Sequence, residues 1–169
     1  MIRATLELGN PGLRHAAAPV NDATGAETRA LIEDLRATLH DFRARNGWGR
    51  ALAAPVIGVP LRLIVVEHDE LSLVLINPAF ERWSSEQVDG YESCITFPTL
   101  WGCVSRPHAV VVVAQDEAGV SRRVEAEGDL ARLLQHEIDH LDGLTWLDRG
   151  PDLETLCTTG EYQRRYRQD

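Results

Sequence analysis

His136-Glu-Ile-Asp-His140 leaves this chain the least conformational freedom. Two histidines four residues apart share a face on an α-helix, where both imidazoles reach a single ion. The flanking residues predict that helix from Gly128 to Asp142, ended by Gly143. At about 100° per residue, Leu130, Leu133, Leu134, Ile138 and Leu141 fill one arc, and Asp129, Arg132, Gln135, Asp139 and Asp142 lie opposite. The histidines stand at the margin of the apolar arc, and Glu137 falls inside it. A carboxylate on a buried face is costly unless it is paired, neutralised or set beside a cation. A glutamate that moves protons next to a metal and a water meets that condition. The bland alternative is an amphipathic helix whose glutamate is covered by a neighbouring element.

Two histidines do not complete a metal site. A third histidine ten residues after the first is ruled out, because Trp146 stands there. Glu154 and Glu161 belong to a short polar segment rather than to a second helix. That leaves Cys94, Cys103 and Cys157. One thiolate, two imidazoles and a water form an open tetrahedral site, which is the catalytic kind.

The 169 residues suit one domain, 1–169, with a polar closing stretch from about 150. The net charge is −9 and all 17 basic residues are arginine. That balance argues against a DNA-binding protein, and the lack of lysine removes Schiff-base chemistry and lysine-dependent phosphate loops. The first residues are interrupted by charge, unlike a secretory leader, and no apolar run is long enough for a membrane span. A cytoplasmic protein with reduced cysteines is therefore expected.

Elsewhere, Thr24 and Glu27 suggest a capping box ahead of a helix bearing Leu31, Ile32, Leu35, Leu39 and Phe42, with Asn46 and Gly47 to stop it. Strands are expected at Arg62–Glu67, at Leu71–Ile76 closed by Asn77-Pro78, at Ala109–Gln115 and at Ser121–Ala126. The last pair is joined by a hairpin through Gly119. Helix, strands and helix without regular alternation predict an α+β fold with a mostly antiparallel sheet.

Four segments together resemble the peptide deformylases. They are Asn10-Pro-Gly-Leu-Arg14 with Ala18-Pro-Val20, Leu52-Ala-Ala-Pro55 with Gly58, Glu92-Ser-Cys-Ile-Thr-Phe-Pro98, and Gln135-His-Glu-Ile-Asp-His-Leu-Asp-Gly143. The resemblance implies antiparallel sheets packed around a central helix that carries the histidines. It selects Cys94, His136 and His140 as ligands of one divalent ion, Fe(II) in the cell, with Zn, Ni or Co as possible substitutes. It also implies that Glu137 takes a proton from water and passes it to the departing amine, leaving formate and a free amino terminus. The backbone N–H of Ile95 would donate to the developing oxyanion. The implied partners are N-formylmethionyl peptides and nascent chains. Arg164, Arg165 and Arg167 form a dense basic cluster that could meet ribosomal RNA, set against the plainer reading of a solvated tail.

The departures are as informative as the matches. Val56 stands where the family has a glutamine that donates to the oxyanion. Ala51 replaces a glycine of the substrate cleft, Ser93 replaces the glycine before the ligand cysteine, and Arg50 occupies a position that is usually apolar, beside the pocket for the substrate's first side chain. The substrate-contacting candidates are therefore Arg50, Ala51 and Ser93. A changed preference, toward smaller, polar or acidic substrates, is the sharper consequence of Arg50. Alternatives are a different N-acyl substrate or a metal-binding relative of low activity. Should Val56 weaken the oxyanion hole, Ser93 or Thr96 carries a hydroxyl that can replace the missing donor.

Overall fold

In the computed structural model, which describes residues 1–68 and 70–166, the first helix, α1, spans Ala26–Asn46. It buries Leu31, Ile32, Leu35, Leu39 and Phe42, the expected stripe. It stops at Gly47 (φ 74°), whose N–H returns to the Arg43 carbonyl at 2.8 Å. Its start differs from expectation. Gly25 is the N-cap and no side chain caps the helix. Asp22 accepts from both the N–H and the hydroxyl of Thr24 at 3.0 Å, so a local turn uses up the would-be cap.

A five-stranded antiparallel sheet follows the order β1-β2-β3-β6-β7. Its strands are β1 (Ala51–Ala53), β2 (Leu63–His68), β3 (Leu71–Trp83), β6 (Ala109–Gln115) and β7 (Ser121–Glu127). Asn77-Pro78 was expected to close β3, but the strand runs on to Trp83. Asn77 takes φ 53°, the register shifts between Ile76 and Ala79, and the strand bends rather than ends. Asparagine tolerates that conformation, and its amide exchanges two hydrogen bonds with the backbone of Val20 (2.8 and 2.9 Å).

The second sheet, in the order β4-β5-β8, contains two strands that the sequence pattern does not announce. They are β4 (Gln87–Cys94) and β5 (Phe97–Pro107), joined to the short β8 (Cys157–Thr158). Helix α2 (Gly128–Leu141) lies between the sheets. Ala131, Leu134, Ile138 and Leu141 enter the core shared by α1 and the five-stranded sheet. The middle of the opposite, polar arc is covered by the second sheet, where Gln135 and Asp139 are buried and Arg132 half-buried, while Asp129 and Asp142 at its ends stay exposed.

Gly143 ends α2 at φ 76°, and a Cβ there would lie 2.8 Å from the Arg14 backbone. The amino-terminal segment crosses the helix end at that point, with Ala17 N–H bonded to the Leu141 carbonyl at 2.8 Å. The closing segment also orders. Helix α3 (Thr159–Tyr166) stacks Tyr162 on Trp101 with ring centroids 3.9 Å apart. No helix among the described residues is long and apolar enough to cross a membrane.

Candidate metal centre and active site

Cys94 closes β4 where its register with β5 shifts, and α2 places His136 and His140 one turn apart opposite it. One ligand atom from each of the three lies within 4.8 Å of the others, and all three residues are buried. Cys94 Sγ stands 3.2 Å from His140 Nε2. This is the one such group of histidine, cysteine or carboxylate side chains among the described residues. Cys103 and Cys157 are half-buried and lie outside it, Glu154 is exposed, and Glu161 pairs with Arg164 and Arg165.

The donor set fits a divalent ion. Burial opposes ionisation of Cys94, but the charge of His140 and hydrogen bonds from His136 and His140 outweigh it and hold the thiol well below its ordinary range. A soft thiolate with two imidazoles suits zinc, iron, nickel and cobalt. Glu137 is buried beside the cluster and its Oε2 has no hydrogen-bond partner among the described residues. Burial pushes its carboxyl up, against His136, His140 and the Ala53 backbone, which favour the charged form. A buried carboxylate with one idle oxygen is poised to exchange a proton with a ligand.

Behind the cluster is an ionic network that motif reading did not anticipate. Glu92 Oε2 meets His136 Nδ1 at 2.9 Å, which leaves Nε2 to face the cluster. Arg106 holds both oxygens of Glu92 (2.6 and 2.9 Å) and reaches Asp139 at 2.9 Å. Arg132 adds a contact to Glu92 at 2.9 Å, and Arg149 also clamps Asp139. Burial would raise the Glu92 carboxyl, yet Arg106 and then His136 hold it well below the usual carboxylate range. The spacing of Asp139 within the His-containing motif was visible; that a distant arginine would meet it was not.

The cluster opens into a cavity of about 580 Å³ between the β1 and β4 edges. Arg50, Ala51, Ser93 and Ile95 all line it, as does Val56. Ala51 has ordinary strand geometry and pairs with Val66, so its methyl forces no positive φ. Trp48, Trp101 and Tyr162 form an aromatic lip. The structure also separates the two candidate hydroxyls. Thr96 donates to Cys94 Sγ at 3.1 Å and is occupied, whereas Ser93 Oγ is buried without a partner among the described residues. Of the terminal basic cluster, Arg164 and Arg165 pair with Glu161, and Arg167 lies outside the described residues.

Comparison with known proteins agrees with this geometry. The family model for polypeptide deformylase matches residues 2–155. The peptide deformylase of Dictyoglomus thermophilum is 40% identical over 158 residues, covering 94% of this chain and 98% of that protein. That of Caldicellulosiruptor bescii is 44% identical over 119 residues, covering 70% and 68%. The crystal structure of the Synechococcus elongatus peptide deformylase in complex with actinonin superposes with a TM-score of 0.84 at 35% identity, covering 90% of this chain and 81% of that one. A Met-Ala-Ser-bound peptide deformylase from Acinetobacter baumannii does so at 0.80 and 28%, covering 88% and 98%. With all four motif segments inside the matched span and the three ligand-type side chains gathered on α2 and β4, the chain belongs to the polypeptide deformylase family.

Proposed function

We propose that this enzyme hydrolyses the formyl group from the amino-terminal methionine of peptides, using Cys94, His136 and His140 to hold one divalent ion. The observation that carries this reading is the idle, buried Oε2 of Glu137 beside the three ligand atoms, inside a cavity open to peptide. A divalent cation in that site supplies Lewis acidity, lowering the pKa of a water and polarising the formyl oxygen. Glu137 accepts the proton of the attacking water and delivers it to the amine as the carbon–nitrogen bond breaks, giving formate and a free amino terminus. The Ile95 N–H, on the cavity wall, donates to the formyl oxygen as charge gathers there. The β1 and β4 edges that bound the cavity can pair with an extended peptide from either side. The nascent chain is the natural form of such a substrate, and the cytoplasm the compartment that supplies it.

The decisive experiment is formate release from a formyl-Met peptide in the presence of Fe(II) or Ni(II), with acetyl-Met peptide as control. Turnover confined to the formyl substrate is expected; its absence in metal-loaded protein would remove the proposal. Fe(II) is the resident ion on this reading, checked by elemental analysis after anaerobic purification. Cys94→Ala is expected to lose the tightly held ion, while Cys103→Ala and Cys157→Ala retain it. One equivalent of ion held by Cys94→Ala would dismiss the cysteine as a ligand.

Val56 favours a weak deformylase over a fast one. Its side chain is buried on the cavity wall and has no donor to offer an oxyanion. Val56→Gln is expected to raise kcat/KM several-fold, and by up to about 10²-fold if nothing compensates. A gain confined to KM would show that the amide only improves binding.

A further inference from the structure

Three guanidinium groups line the cavity, and they are not equivalent. Arg132 is consumed by Glu92 and by the carbonyls of Gly90 and Val104. Arg43 is held by the carbonyls of Gly49 (2.7 Å) and Glu67 (3.2 Å). Arg50 has one contact among the described residues, a pair with Asp129 at 3.6 Å. The Arg50 side chain is 46% exposed and that of Asp129 78%, so the pair is long and solvated. Exposed pairs of that kind contribute little, which leaves the Arg50 charge free to meet another anion.

The backbone fixes where that charge stands. Arg50 immediately precedes β1, and its carbonyl accepts from Glu67 N–H at 2.6 Å. Ala53, at the other end of β1, touches the Glu137 carboxylate through its backbone. Three residue-to-residue steps of extended chain separate them, roughly 10 Å. A peptide laid along β1 with its formyl carbon at Glu137 therefore brings its second or third residue to Arg50.

We infer that Arg50 is a specificity-determining residue that selects an acidic side chain at the second or third residue of the substrate. The inference rests on the deformylase reading of the same cavity. Asp129 is the built-in competitor for the guanidinium, so the acidic substrate and Asp129 exchange places on Arg50. A basic substrate residue meets like charge there. Trp48 and Trp101, with ring centroids 5.5 Å apart, line the same cavity as Arg50.

The test compares kcat/KM for formyl-Met-Asp-Ser with formyl-Met-Asn-Ser, and formyl-Met-Ala-Asp with formyl-Met-Ala-Asn. The wild type is expected to favour the acidic member of at least one pair by about five- to tenfold, through KM. Arg50→Leu should abolish the ratio, Arg50→Glu should invert it, and Asp129→Asn should increase it. Raising NaCl to about 0.5 M should shrink it in the wild type, because the contact is partly solvated. A ratio near one in both pairs, or one that survives Arg50→Leu, overturns the inference. If no formyl peptide is turned over, the deformylase reading fails separately. The charge preference is then read by calorimetry with Met-Asp-Ser against Met-Asn-Ser, and equal affinities would likewise overturn it.

Discussion

Glu137→Gln is expected to keep its metal and its fold while losing a factor of about 10²–10⁴ in kcat. The amide occupies almost the same volume and still accepts from the Ala53 backbone, so the buried site loses no packing. It cannot take up a proton, and both halves of the reaction need that proton to be stored and returned. The loss corresponds to about 2.7–5.5 kcal/mol of barrier and should appear in kcat with little change in KM. Elemental analysis and circular dichroism establish that metal and fold persist. Retention of more than about a tenth of the wild-type rate would take Glu137 out of the proton path.

The second large effect concerns stability. Arg106 is 3% exposed and bridges two buried carboxylates, Glu92 and Asp139, from opposite sides of its fork. Arg106→Leu leaves Glu92 with Arg132 and His136, and Asp139 with Arg149. Removing one partner from a buried ionic cluster costs about 3–5 kcal/mol, a large share of the 5–15 kcal/mol of an ordinary domain. Urea denaturation should show that loss as a lower midpoint at unchanged slope. Because Glu92 orients His136, metal affinity should fall as well, by about 10- to 100-fold. A variant within 1 kcal/mol of wild type would mean that Arg132 and Arg149 suffice.

The metal cluster was half legible in residue spacing. The i, i+4 histidines require no knowledge of the rest of the chain, whereas Cys94 is indistinguishable from Cys103 and Cys157 until its neighbours Glu92, Ile95 and Pro98 are compared with a family pattern. The five-stranded sheet was legible where burial is apolar, as in Leu63–Val66 and Val110–Val112. Strands β4 and β5 were not, because their inward positions include Glu92 and Arg106, which break the alternation that marks a half-buried strand. The burial of Gln135 and Asp139 on α2 was hidden for the same reason: the residues that meet them, Pro107 and Arg106, lie far off in sequence. Asn77 misled differently. Asn-Pro is ordinary turn chemistry, and the bend it makes inside β3 depends on Val20, more than fifty residues earlier. Local rules carry no information about such a partner.

The close approach of Gly143 to Arg14 sets the order in which the molecule can be assembled. The segment that crosses the end of α2 is synthesised long before its docking site. A contact of such sequence separation gives no return until most of the loop between its ends has been ordered. The segment around Arg14 and Ala17 must therefore wait for this contact while β1 to β7 and α2 are made. Cys94, itself made before either histidine, can meet them only after α2 has emerged. A chain that stops before His140 therefore lacks one of the three side chains of the candidate cation site.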